Sequence, residues 1–205
     1  MWRVHGGDIV FANDLLVINL RAADTEATGP PLTHLSVFDV AYSAATGSGR
    51  IAFLRLLGAA DPRLGRGVML TDNPALVPWF RERLASAQWS VVDLGAPPIE
   101  ARFQRGRLTD RLGLRIEADD ILVQASWEGL SGPRWVEGPL VNYPLEYTWA
   151  LLLEAVDASV TVNGTPGAGE PYADERFQAT IGRPISSCNV GLCEVHLKRG
   201  ASRAR

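Results

Sequence analysis

The sequence predicts a mainly β protein, an antiparallel β-barrel or a curved two-sheet sandwich with one amphipathic helix near residues 74–86. Three observations predict it. Apolar and polar residues alternate with a period of two through several segments, as strands with one buried face require. Turn-forming clusters of Gly, Pro, Asn and Asp separate these runs at short, regular intervals. Helical spacing is clear in only one place. With 205 residues, 46% of them hydrophobic and 21% charged, the chain has enough apolar surface to form one β-rich domain over residues 1–197, followed by a basic tail, 198–205, expected to fray.

Ile9–Ala12 and Leu15–Leu20 are short apolar runs separated by Asn13-Asp14, a pair suited to a tight turn, so two strands of a hairpin are expected there. After the proline-containing loop Ala22–Pro31, the β-forming run Leu35–Tyr42 leads through Thr46-Gly47-Ser48-Gly49 into Ile51–Leu57, a second hairpin. Asp72-Asn73-Pro74 then combines a side-chain cap with a proline in the first turn. Leu76, Val77, Phe80 and Leu84 recur at helical spacing while Arg81, Glu82 and Arg83 are expected to face away.

From Trp89 the period returns to two. Val91–Leu94 is followed by the alternating Ile99, Ala101 and Phe103, then by Leu112, Leu114 and Ile116, and Asp119-Asp120 turns the chain into Ile121–Glu128. This is an antiparallel meander. Leu145–Ala155 fits either a buried strand or a helix, and strand is the reading adopted. Val160–Gly164 ends in an Asn-Gly turn, and Cys188–Leu197 is the last strand. About nine to eleven short strands result. A lipocalin-like barrel is the first architecture to compare, although the Gly-x-Trp signature of such barrels is absent near the first strand.

Composition narrows the function classes. A net charge of −3 supplies no general attraction for nucleic acid or an anionic bilayer, so neither is an expected partner. The N-terminal residues lack the basic start and apolar stretch of a secretory signal, and no run is long enough to span a membrane as a helix, which gives a cytoplasmic expectation. Cys188 and Cys193 lie five residues apart in an extended segment, on opposite faces and beyond disulfide reach, so they read as reduced packing residues. With His5, His34 and His196 they do not make a metal motif, and no cofactor is implied. Lys198 is the only lysine, which leaves no Schiff-base lysine within the fold.

Gly164–Pro171 has glycines at P-loop spacing, but Glu170 stands where the phosphate-binding lysine belongs and Pro171 where the Ser/Thr belongs. It reads as a hairpin loop. Asn163-Gly164-Thr165 likewise reads as a turn and not as a glycosylation site. Arg102, Arg105, Arg107, Arg111 and Arg115 cluster in one hairpin and form either an anion-binding face or a solvated one, partly neutralised by Glu100, Asp110 and Glu117.

The candidate site rests on two sets of residues. Phe38, Trp127, Tyr147 and Trp149 are expected to line a cavity that binds a small, largely apolar molecule, or else to fill the core. The carboxylates Asp39, Glu154 and Glu194, set in apolar strands, with His196 on the same strand face as Glu194, are the acid–base candidates for a cofactor-independent isomerase, hydratase or cyclase. A third reading is a structural protein that forms a homodimer through an exposed sheet edge. For Asp39, alternation allows two placements: solvent-facing with Phe38, Val40 and Tyr42 in the core, or inward with an arginine partner such as Arg55.

Overall fold

The computed structural model describes residues 8–23, 30–85, 92–140, 143–175, 178 and 182–197. Among them the element order is β1 (Ile9–Leu20), β2 (Thr33–Ser43), β3 (Gly49–Leu56), α1 (Pro62–Arg66), β4 (Val68–Thr71), α2 (Leu76–Ala85), β5 (Ile99–Glu100), β6 (Arg102–Arg105), β7 (Arg111–Glu117), β8 (Leu122–Glu128), β9 (Arg134–Leu140), β10 (Tyr143–Glu154), β11 (Asp157–Val162), β12 (Thr165–Pro166), β13 (Ala173–Asp174), β14 (Ile185–Ser186) and β15 (Cys188–Leu197). The strands form an eight-stranded sheet in the order β5-β4-β3-β2-β1-β15-β10-β9, a five-stranded sheet in the order β12-β11-β8-β7-β6, and the small pair β13-β14. The protein is mainly β. The barrel expectation is not met, because β5 and β9 are opposite edges of the larger sheet and no ladder joins them among the described residues.

Instead of closing on itself, the larger sheet packs on both sides, over part of each face. Leu16, Ile18, Leu35, Val37, Leu54 and Leu70 on one face share an apolar core with Leu112, Leu114, Ile116, Val123, Trp127 and Val160 of the five-stranded sheet. On the other face, Phe11, Val40, Ile51, Phe53 and Met69 pack with Leu76, Val77 and Phe80 of α2. Trp127 is fully buried between the sheets, and its Nε1–H donates to the carbonyl of Val17 at 2.8 Å.

The first expected hairpin is absent. Asn13 and Asp14 continue straight through β1, with Asn13 opposite Val40 and Cys193, and Asp14 opposite Asp39 and Leu192. Two flanking ladders satisfy the backbone of β1, and that outweighs the local turn preference of the Asn-Asp pair. The second hairpin forms as β2 and β3, the meander as β6-β7-β8, and residues 145–154 lie in strand β10. Asn163 (φ 51°) and Gly164 (φ 80°) supply the left-handed conformations that a tight turn between β11 and β12 needs.

Helix α2 begins at Leu76, after Asn73 accepts a side-chain hydrogen bond from the Ala75 amide. Pro78 lies in its first turn, where no amide donor is required. Contrary to expectation, Arg83 turns inward, and its guanidinium grips Glu146 of β10 through two 2.7 Å bonds. Val92–Leu94 is irregular rather than strand, and Trp89, Val91 and the tail 198–205 lie outside the described residues.

Candidate functional site

The five-stranded sheet covers only part of the inner face of its larger neighbour. Register identifies the uncovered part. Asp39, Asp14, Leu192, Leu151 and Trp135 lie opposite one another across β2, β1, β15, β10 and β9, and the next row holds Tyr42, Ala12, Glu194, Trp149 and Glu137. Beyond these, Ile9, His196 and Tyr147 form a further row. Residues opposite each other in an antiparallel ladder share a face, so these side chains lie together at one end of the sheet, where Tyr42 and Trp135 are substantially exposed and His196 is buried.

Its β9-β10-β15 side carries an aromatic and acidic cluster. Trp135 and Trp149 stack with ring centroids 4.9 Å apart, and Trp135 remains 41% exposed. Trp135 Nε1–H donates to Glu137 Oε2 at 3.0 Å, and Glu137 also accepts from the Tyr147 hydroxyl. Partial burial and the Glu137 carboxylate raise the Tyr147 phenol above its ordinary range. On the next strand, His196 Nε2 is 2.8 Å from Trp149 Nε1 and 3.1 Å from Glu194 Oε2. An indole nitrogen only donates, so its bond needs a lone pair on Nε2, whereas a bond to the ionised Glu194 carboxylate needs a proton there. The two bonds are therefore alternative protonation states of one nitrogen.

On the β1-β2 side is a charge network. Arg105, whose position on β6 points it toward the larger sheet, pairs with Asp14 and reaches Asp39 at 3.6 Å. Asp39 also accepts from Arg50 Nε at 3.1 Å, and Arg50 in turn reaches Asp72 at 3.3 Å. Two carboxylates directly opposite each other would repel, and the arginines offset this. Asp39 thus takes the inward placement, 24% exposed and paired with Arg50 and Arg105; Arg55 instead donates to the carbonyl of Pro31 at 3.0 Å. Tyr42 does not join Phe38 and Val40, because the ladder shifts by one residue at Ala41 and turns Tyr42 to the open face, 49% exposed.

Four of the eight sequence-derived site residues, Tyr147, Trp149, Glu194 and His196, therefore meet at this end, with Asp39 on the same face. The other three lie elsewhere. Trp127 is sealed between the sheets, and Phe38 packs on Phe80 of α2 across the opposite face, at a centroid distance of 4.6 Å. The four aromatics accordingly line no common cavity. Glu154 lies at the far end of β10, where it accepts from the Ser186 amide at 2.9 Å and pairs with Arg183 and Arg134. Of the arginine cluster, Arg102, Arg111 and Arg115 alternate onto the solvent side of the smaller sheet. The Gly164–Pro171 loop is clamped to the ends of β1 and β2, by the Arg21–Glu170 bridge and by a 2.8 Å bond from Thr33 Oγ1 to the Ala168 carbonyl.

The sequence does not single out Asp14 or Glu137 as site residues, and it offers Arg105 only as one of the clustered arginines and Trp135 only as one of the aromatics gathered between Trp127 and Trp149. Trp135 and Glu137 share an i, i+2 spacing that would place them on one strand face, whereas nothing local links Arg105 to Asp14. An open depression of about 610 Å³, lined by Asp8, Ile9, Val10, Tyr42, Ala44 and Leu197, adjoins the same end. Among the described residues no three His, Cys, Asp or Glu side chains are grouped to hold a metal ion, and no helix is long and apolar enough to cross a membrane. No protein-family model, curated protein or solved structure matches the chain.

Proposed function

We propose that this chain is a two-sheet sandwich that binds a small molecule on the open end of its larger sheet, stacking the ligand's flat, largely apolar face on the Trp135–Trp149 pair. One observation carries the reading: two indoles stack outside both apolar cores, with one still 41% exposed and hydrogen-bonding groups from Glu137, Glu194 and His196 around them. A large aromatic surface left at the solvent boundary beside convergent polar groups is the usual composition of a ligand site. The carboxylates favour a ligand that brings hydrogen-bond donors or a positive charge, which the indole faces also attract. Native mass spectrometry of freshly purified protein, followed by fluorescence titration with any co-purifying molecule, tests this. Binding that Trp135→Ala weakens while Trp127→Phe spares supports the reading; equal loss in both variants, or none in either, refutes it.

A second reading is favoured by the shared nitrogen of His196. A histidine poised between an indole donor and a carboxylate can take up and return a proton, the basis of cofactor-independent isomerisation or hydration. If a bound molecule is turned over, His196→Gln should abolish turnover while leaving its affinity largely intact. Turnover undiminished in that variant removes the acid–base reading.

A further inference from the structure

The free edges of the two large sheets are unequal. β5 and β12 are two residues long, and β6 has four and is anchored by Arg105 to Asp14 and Asp39. β9 presents a seven-residue edge with no strand on its outer side among the described residues. A long free edge is a template for another strand. In the segment Pro133-Arg134-Trp135-Val136-Glu137-Gly138-Pro139 the two prolines are placed symmetrically, three positions to either side of Val136.

From that symmetry we infer that β9 is a homodimer interface, pairing antiparallel with β9 of a second copy on a two-fold axis through Val136. A two-fold axis perpendicular to a continuous sheet pairs residues whose side chains lie on the same face. In this register Trp135 lies opposite the partner's Glu137, Arg134 opposite the partner's Gly138, and each proline opposite the partner's other proline. The five residues between the prolines all retain an amide donor. A shift by two residues either way brings a proline opposite Trp135 or Glu137 inside the ladder, and one of those shifts also sets Glu137 against itself.

Within β9 itself the Trp135 indole donates to Glu137 at 3.0 Å. Opposite the partner, that single N–H can pass to the partner's Glu137 instead, and the small Gly138 leaves room for the long Arg134 side chain. Trp135 and Glu137 lie on the same sheet face as Trp149, Glu194 and His196, so dimerisation would set the two open ends side by side. The partner's Trp135 and Glu137 would then border this chain's Trp135–Trp149 stack. The inference is independent of any ligand.

Sedimentation velocity over a range of concentrations and cysteine crosslinking test it together. The wild type should sediment as a dimer, and Val136→Lys, which sets two like charges against each other on the axis, should weaken association by roughly tenfold or more with an unchanged far-UV spectrum. With a short thiol-bridging reagent such as dibromobimane, Val136→Cys should form a covalent dimer, because directly opposed Cβ atoms are only about 4.5–5.5 Å apart. Ser131→Cys, beyond the prolines, should not, and neither should the wild type with its native thiols. A wild type that stays monomeric at every concentration, or a dimer that persists unchanged in Val136→Lys, overturns the inference. Should Val136→Lys fail to fold, crosslinking decides: failure of Val136→Cys to crosslink, or equal crosslinking of Ser131→Cys, is equally fatal.

Discussion

Replacing Trp127 by phenylalanine tests how the two large sheets are held together. The indole has no exposed surface and sits in the apolar core that both sheets share, with Nε1–H donating 2.8 Å to the carbonyl of Val17 on the opposite sheet. Phenylalanine keeps most of the ring but deletes the donor, which costs about 1–3 kcal/mol where the abandoned acceptor is buried. The smaller ring also leaves a gap in the shared core, and such gaps add about 1 kcal/mol or more. A total near 3 kcal/mol lowers the melting temperature of a domain this size by roughly 6–12 °C. Trp127→Ala should cost more, about 3–5 kcal/mol. Trp135→Phe is the control, since a change at a substantially exposed surface position generally stays within about 0.5 kcal/mol. Thermal melts followed by circular dichroism measure all three. If Trp127→Phe melts within a degree of the wild type, or no lower than Trp135→Phe, Trp127 does not hold the sheets together and the argument from its burial fails.

Further predictions follow from local features. Gly169 has φ 103°, and an added Cβ would come within 2.8 Å of the Arg21 backbone, so Gly169→Ala should cost at least about 1–3 kcal/mol; unchanged stability would show that the loop does not clamp β1. Arg83→Met removes the guanidinium that the buried Glu146 carboxylate is paired with and should cost about 3–5 kcal/mol, most of it recovered when Glu146→Leu is added, as a double-mutant cycle by urea denaturation would show. Tyr147 should ionise above the ordinary tyrosine range in an ultraviolet titration, and Glu137→Gln should bring it part of the way down. Because the folded state holds that proton more tightly than the unfolded chain, the associated stability is full below the ordinary tyrosine range and is lost as pH rises through the elevated value. Burial pushes the Cys188 thiol up to about 11, so iodoacetamide at pH 8 should leave it unmodified until the protein is unfolded.

Strands with one dry and one wet face were the readable ones. In β7, Leu112, Leu114 and Ile116 alternate with Arg111, Gly113 and Arg115 because the smaller sheet covers the core on one side only. β1 and β3 are buried on both faces, so their apolar runs identify strands without saying which residues face which core. The Asn13-Asp14 misreading has the same origin: local turn chemistry yielded to pairing with β15 and to an arginine 91 positions away in sequence. Alternation alone placed Glu194 beside His196, and Tyr147 and Trp149 share the same i, i+2 spacing. Joining those two pairs required the β10-β15 register, and the Ala41 shift that moves Tyr42 across the sheet leaves no mark in composition. Arg83 looked like a solvated helix residue, because its partner Glu146 comes from a strand whose position only the fold supplies.

The place of β15 between β1 and β10 has a kinetic consequence. The hairpin of β2 and β3 can close from local contacts, and so can the β6-β7-β8 meander, but β1 and β10 each lack one neighbour until the last strand inserts between them. As the chain is synthesised, two long apolar strands therefore stay half-paired until residues 188–197 emerge. Insertion then closes a loop that spans nearly the whole described chain, the kind of distant contact that slows β folding to milliseconds or longer. Until that moment the unpaired sides of β1 and β10 are open to other chains. A chain that stops before Cys188 should aggregate rather than fold, and refolding of the complete chain should depend more steeply on changes at the Leu192–Leu151 contact than on changes within the β2-β3 turn.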